Sequence, residues 1–407
     1  MLKFFFAILF VFSVPGLGAS YYSDSYVSAR KKFRDLTAQA KRQFEGATSG
    51  SVKVPSKIDD DLTIDYLYLP PKDATEGLVI VSSGVHGVEA YAGSAMQHML
   101  LDEFVIPEKL PNQKTGYLFI HAINPYGFKY GRRVSENSVD LNRNFGVNKN
   151  HFDIKNPQFT ELKHLLMPAK PASSSWVSHI KFLLEALMQM GKHSVGSLKQ
   201  AIAGGQYEYP KGIFYGGRDF EPNQQLVEAL FVRFSKPYAK VLNLDLHTGF
   251  GKRGFMHLFP NPTEDKKLLE QYKHIFGNYP IEEIGEDFYS NEGDFSTYVA
   301  ARLAQEGKTA IPMLVEYGTL DSQTYRGAIA SLSRMVLENQ KHWYGARRPQ
   351  DATRIQESFM ELFYPSAEGW RDEVERQTRI HLPRFIENFD ALEAQGAVCA
   401  DEIRSAC

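Results

Sequence analysis

Cysteine is almost missing from this chain. Only Cys399 and Cys407 occur, both close to the C-terminal end. That spacing excludes a Cys-x-x-Cys metal knuckle and a framework of several disulfides. The two thiols either pair across one small loop or stay free. An excess of basic charge is also lacking: 46 Lys and Arg stand against 48 Asp and Glu, for a net charge of -2. No nucleic-acid surface is expected from such a balance. Beyond the first twenty residues no apolar run approaches the roughly 20 residues that span a bilayer, so no stable membrane insertion is expected once that segment is removed. Internal repeats and long low-complexity segments are absent too, which excludes a solenoid.

What is present is an ordinary globular balance. The 407 residues are 43% hydrophobic and 23% charged, enough for one large domain or two modest ones. Residues 1–20 read as a signal peptide. Lys3 opens them, Phe4 to Val14 is a short apolar core, and Gly18-Ala19-Ser20 is a small-residue cleavage region. An exported protein, periplasmic or secreted, is expected; an uncleaved anchor is the alternative.

The chain is organised around Leu78 to Tyr91, LVIVSSGVHGVEAY. Leu78 to Ser82 is an apolar, β-branched run and reads as a buried strand. Gly84 and Gly87 break it, and a helical pattern starts at Glu89. Tyr26 to Phe44 reads as a surface helix. Leu62 to Leu69 reads as a strand ended by Pro70-Pro71, and Tyr117 to Ile123 as a strand ended by Asn124-Pro125. A polar loop, Gly127 to Phe145, follows. Residues 150–205 are mostly helical in pattern, with a break at Pro168 to Ser175. Asn223 is placed to cap a helix running to about Phe234. Val241 to Leu246 reads as a buried strand with Gly254 to Phe259 as its hairpin partner, and Ile311 to Val315 as a further strand. From about Arg326 onward the pattern is helical, without a catalytic-looking cluster. The rhythm is that of an α/β fold with a mixed, mostly parallel sheet flanked by helices. In such sheets, functional loops gather at the carboxyl ends of the strands.

Several candidate site residues fall at those ends. His86 and Glu89 lie three residues apart where a strand turns into a helix. His86 is the only one of the 12 His with an acid at that offset. Imidazole and carboxylate are zinc ligands. His247 ends another predicted core strand and runs into Thr248-Gly249; a lone His there would more often be satisfied by hydrogen bonds. Together the three would give zinc two imidazoles and a carboxylate and leave a position for water. Asp245, two residues back, shares the strand face of His247 and could orient a ligand. Glu316 ends the Ile311 strand, where a buried carboxylate is costly without a partner or a purpose. By itself it reads as a salt-bridged sheet-end residue, or as a general base if water comes within reach. The loop Arg132 to Phe145 holds three Arg and three Asn, and its Val139, Leu141 and Phe145 should anchor it to the core. Arginine forks suit carboxylates and developing oxyanions.

HGVE, VDLNRNF, DLHTG and VEYGT occur in an order that resembles the M14 zinc carboxypeptidase family. NPYGFKYGRRVSENSVDLNRNF, GQYEYPKGIFYGG and DLHTGFG bring the chain closest to its DUF2817 branch, over roughly Leu62 to Phe363. The resemblance implies zinc held by His86, Glu89 and His247, with Glu316 as general base. It implies Asn142 and Arg143 as the dock for a substrate carboxylate, and Asp140 as the acid that orients a ligand His. Arg133 falls where a shortened form of the family's oxyanion arginine would lie, with Arg132 as the competing choice. Tyr289 is the candidate substrate-capping tyrosine, with Tyr298 behind it. Gln206, Tyr207 and Tyr215 are expected to shape a distinct pocket. The division implied is a signal peptide (1–20), a catalytic domain (21–365) and a helical C-terminal tail (366–407). The expected activity is a metallocarboxypeptidase-type hydrolysis of an amide next to a free carboxylate. Deacylation of N-acyl amino acids or cleavage of cell-wall peptides are alternatives, and a non-catalytic binding protein is a further one. The expected partner is a peptide or N-acyl amino acid.

Overall fold

The computed structural model describes residues 20–193, 198, 201–202, 204–282 and 293–392. The expected signal segment, Tyr289, Cys399 and Cys407 lie outside these residues, apart from Ser20. In chain order the strands are β1 (Thr48–Lys53), β2 (Thr63–Leu69), β3 (Gly77–Ser83), β4 (Thr115–His121), β5 (Lys240–Gly249), β6 (Met256–Pro260) and β7 (Thr309–Gly318). The longer helices are α1 (Tyr26–Gln43), α2 (Ala90–Leu100), α3 (Pro125–Tyr130), α4 (Pro157–Leu166), α5 (Trp176–Lys192), α6 (Pro222–Ser235), α7 (Lys266–Phe276), α8 (Phe295–Gln305), α9 (Tyr325–Tyr344), α10 (Pro349–Phe363) and α11 (Glu368–Ala391).

One seven-stranded sheet runs β1-β2-β4-β3-β5-β7-β6. The four inner strands β4, β3, β5 and β7 are parallel, and β1, β2 and β6 join antiparallel. A strand covered on both faces should read as a continuous apolar run, and β3 and β5 are buried at every position. Leu242, Leu244 and Leu246 point into one core with Met96, Tyr117 and Phe385. Val241 points to the other face, with Ile80, Phe231 and Val299. Helix α2 is buried all round, as its apolar sequence requires. Helix α1 buries Tyr26, Ala29, Phe33 and Ala40, a stripe at helical spacing, behind a Ser25–Ser28 capping box. The segment set apart as a tail contributes α11, whose Trp370, Leu382, Phe385 and Phe389 lie in the same core as the sheet.

Three local expectations are corrected. Strand β6 pairs with β7 rather than with β5, so the glycines of 249–254 form a connection across β7 and not a hairpin. Asn223 sits inside the first turn of α6, where it donates to the carbonyl of Ile123; Glu221 occupies the cap position, and its side chain accepts from Asn137 instead of capping the helix. The segment after β4 begins as helix α3, capped by Asn124 with Pro125 in its first turn, before it becomes a loop.

Candidate metal centre

Strand parity and register build the site. β5 and β7 end together at Gly249 and Gly318, and β3 ends at Ser83, opposite Leu246. Ser82 lies opposite Asp245, and His247 opposite Glu316. Alternation puts Asp245, His247 and the partner Glu316 on one face. After β3 the chain turns through Gly84, at φ +73, and a 3-10 turn over Gly87–Glu89. Gly87 packs against Gly127, where a Cβ would sit 2.2 Å from the Gly127 carbonyl carbon. The Gly87 and Val88 amides donate to the carbonyls of Arg133 and Arg132. The close approach thus locks the His86–Glu89 turn onto the arginine loop.

His86, Glu89 and His247 converge, with one donor atom of each within 4.8 Å of the others. His86 Nδ1 is 2.8 Å from Glu89 Oε1, and His247 Nδ1 is 3.0 Å from Glu89 Oε2. The two Nδ1 atoms are 3.2 Å apart. Zn–N bonds of 2.0–2.1 Å at a tetrahedral angle would put two nitrogens about 3.3 Å apart. Each imidazole is held from behind. His86 Nε2 donates to Asp140 Oδ1 at 3.1 Å, and His247 Nε2 to Asp245 Oδ2 at 2.6 Å. Ser82 Oγ donates to the other Asp245 oxygen at 2.7 Å. With the proton on Nε2, both Nδ1 lone pairs face the same point. Two such lone pairs and a carboxylate, all buried, call for a cation between them, so the residues fit a zinc ion.

The buried charges of the site compensate one another. Burial opposes ionisation of Glu89, yet His86 and His247 hold its carboxyl well below the usual range. Burial opposes charge on His247, yet Asp245 and Glu89 push its pKa well above the ordinary imidazole value. Burial likewise works against Asp140, and Arg133 and His86 bring it well down. Arg133 Nε donates to Asp140 Oδ2 at 3.0 Å and its Nη1 to Glu89 Oε1 at 2.9 Å. Arg132 turns away, to Glu338 and Ser138. The structure therefore puts Arg133 in the site and Arg132 outside it.

Glu316 has one oxygen fixed by the Phe250 amide at 2.8 Å. Burial, and then the charge of Glu89, push its carboxyl up to about 8. Asn142 accepts the Phe295 amide through Oδ1 and lines the cavity. Arg143 Nη1 donates to the Asn142 carbonyl, and both residues line the cavity with Asp294 and Ser296 of the α8 start. Burial raises the Asp294 carboxyl above its usual value. The cavity that joins these groups holds about 500 Å³. Tyr298 is committed elsewhere, to Glu228.

Gln206, Tyr207 and Tyr215 do not line the cavity. They brace the loop beneath it: Tyr207 donates to the Arg143 carbonyl, and the Tyr215 carbonyl accepts the Asp140 amide. Their neighbour Phe214 reaches the cavity instead, with Met335, Leu362 and Phe363 from α9 and α10. Sequence reasoning missed these, because apolar residues in amphipathic helices carry no mark of which cavity they face. It also missed Thr248, whose amide donates to Glu89 Oε2 at 3.1 Å.

The DUF2817 model, a family described as proteins of unknown function, matches residues 22–377. The chain belongs to that family. No curated protein matches the chain. Among solved structures, bovine thrombin-activatable fibrinolysis inhibitor in complex with tick carboxypeptidase inhibitor shares 12% identity over 84% of this chain and 98% of that one, at a TM-score of 0.45. Carboxypeptidase A of Helicoverpa armigera shares 16% over 85% and 75%, at 0.43. A metallo-carboxypeptidase of Burkholderia cenocepacia shares 8% over 82% and 67%, at 0.40.

Proposed function

We propose that this DUF2817 chain is an exported zinc-dependent hydrolase that cleaves an amide bond next to a free carboxylate. The observation that carries the reading is the buried set of His86 and His247 Nδ1 atoms 3.2 Å apart on one carboxylate, with Glu316 beside them on the next strand. A zinc ion held there would polarise the amide carbonyl and acidify a water molecule. Asn142 Nδ2 and the Arg143 guanidinium dock the substrate carboxylate and so set the register of the scissile bond. Glu316 takes a proton from the attacking water at the oxygen that the Phe250 amide does not hold, then delivers it to the leaving nitrogen. Arg133 keeps Glu89 and Asp140 in place and presents its positive charge to the oxyanion as it develops. Asp140 and Asp245 hold the two imidazoles in the Nε2–H tautomer. The apolar leader of residues 1–20 supports the export part of the reading.

The test is amino-acid release from blocked dipeptides, run as free acids and as C-terminal amides on metal-replete protein. Release from the acids, lost in the amides, is expected. Equal cleavage of both would remove Asn142 and Arg143 as the carboxylate dock.

A further inference from the structure

The cavity is chemically two-sided, and only its polar side is used by the reading above. Its other wall is Phe214, Met335, Leu362 and Phe363. This wall begins at the metal position itself. The rings of Phe214 and Phe363 lie 5.6 and 5.8 Å from the Arg133 guanidinium, which in turn is bound to Glu89. The Phe363 carbonyl is tied to Thr248 Oγ1 at 2.6 Å, next to His247.

The wall offers few partners for a peptide backbone: Ser331 Oγ, one turn before Met335 on α9 and without a hydrogen bond of its own, lines it as well. The Phe363 carbonyl is taken by Thr248, the Leu362 carbonyl by Thr319 Oγ1, and the Phe214 carbonyl by the Gln206 amide. Met335 lies in the interior of α9, where backbone groups are spent within the helix. A peptide chain laid on this wall would lose hydrogen bonds to water and regain few, at a cost per group. A hydrocarbon chain loses nothing and gains from burial.

Resting on the amide-hydrolase reading, we propose that the acyl half of the substrate is an apolar chain, so that N-(fatty acyl) amino acids are preferred over peptides. Asn142 and Arg143 hold the amino-acid carboxylate while the acyl chain lies on the Phe214–Met335–Leu362–Phe363 wall. Water adds its oxygen to the acyl carbon, the C–N bond breaks, and the nitrogen leaves with a proton. The products are a fatty carboxylate and a free amino acid.

The experiment is calorimetric binding to the metal-free protein, with three probes: N-octanoyl-glycine, N-acetyl-glycine and N-octanoyl-glycinamide. A few buried methylenes are enough for a ten-fold gain, so N-octanoyl-glycine should bind at least ten-fold tighter than N-acetyl-glycine. Phe214→Gly should narrow that gap. Phe214 sits at φ +55, a conformation glycine accepts without strain, so this variant should fold. Met335→Glu should narrow the gap further. Equal affinity of the octanoyl and acetyl acids, a gap unmoved by both variants, or no binding of any probe at millimolar concentration would overturn the proposal. If the octanoyl amide binds as well as the octanoyl acid, the carboxylate dock fails while the apolar wall stands, so the two readings fall separately. Turnover on metal-replete protein should follow the same order, N-octanoyl-glycine ahead of a blocked dipeptide with an aspartate before the scissile bond.

Discussion

Two pairs of buried histidines sit on opposite faces of the same sheet. At the candidate centre, His86 and His247 each give one ring nitrogen to a carboxylate and face each other across Glu89. On the other face, His98 and His121 share the hydroxyl of Ser94, and His121 stacks on Phe33. Burial pulls these two down to about 3 and about 4. The second pair is as deeply buried as the first, and His121 ends its strand much as His247 nearly ends its own. Their partners differ. Carboxylates that hydrogen-bond the far nitrogen turn a buried imidazole into a ligand that can carry positive charge nearby. A hydroxyl and an aromatic ring leave it neutral and structural.

The largest effect that would break this contrast is expected at Glu316. Glu316→Gln keeps the shape and removes the basic oxygen, so turnover should fall by about 10²–10⁴ with metal still bound. Near-normal turnover at full metal content would take Glu316 out of the mechanism. A smaller effect is expected behind His247. Asp245→Asn should weaken metal binding by about 10–100-fold, read by competition with a chelator, whereas Ser94→Ala beneath His121 should leave it unchanged.

The core pair sharpens the contrast through pH. Its folded-state values lie below the unfolded imidazole value near 6.5, so the unfolded chain takes up protons first as pH falls. The stability is fully present above about 6.5 and is lost toward pH 4. Asp65 opposes the shift of His121, and Arg34 and Arg30 reinforce it. Each of the two should cost about 2 kcal/mol at pH 5. Thermal melts should fall between pH 7.5 and 5, and His121→Asn should flatten that fall. A wild-type melt independent of pH over this range would contradict the assignment of a neutral pair. The smallest effect is expected from deleting residues 393–407. Among the described residues the cavity lining ends at Phe363, so turnover should stay within about two-fold on the same assay. A large loss in a folded truncation would place the tail in the site.

The same contrast shows how far the sequence was legible. The strands of the parallel core could be read because both of their faces are buried, which leaves a run of β-branched and apolar residues. His86, Glu89 and His247 could be read because each follows such a run. Position at a strand end does not say which face a side chain takes. His121 meets that criterion too, but its parity puts it with Tyr117 and Phe119, one residue out of phase with the site. Strand β1 went unread, because its exposed and half-buried TSGSVK has little apolar pattern. The apolar wall was illegible for another reason. Met335 and Phe363 fall on helical stripes that any core helix would carry, and only tertiary packing turns them toward the cavity. Asp140 and Asn142 came from the motif they share with a family, and their hydrogen bonds to His86 and to the Phe295 amide give each a physical reason.

If the carboxylate behind each ring is what makes the centre, the first histidine pair alone should hold metal. The deciding measurement is metal content per chain after exhaustive dialysis, by elemental analysis of wild type, His86→Ala and His121→Asn. One zinc per chain is expected in wild type and His121→Asn, and none in His86→Ala. Full zinc in His86→Ala, or its loss in a folded His121→Asn, would contradict it.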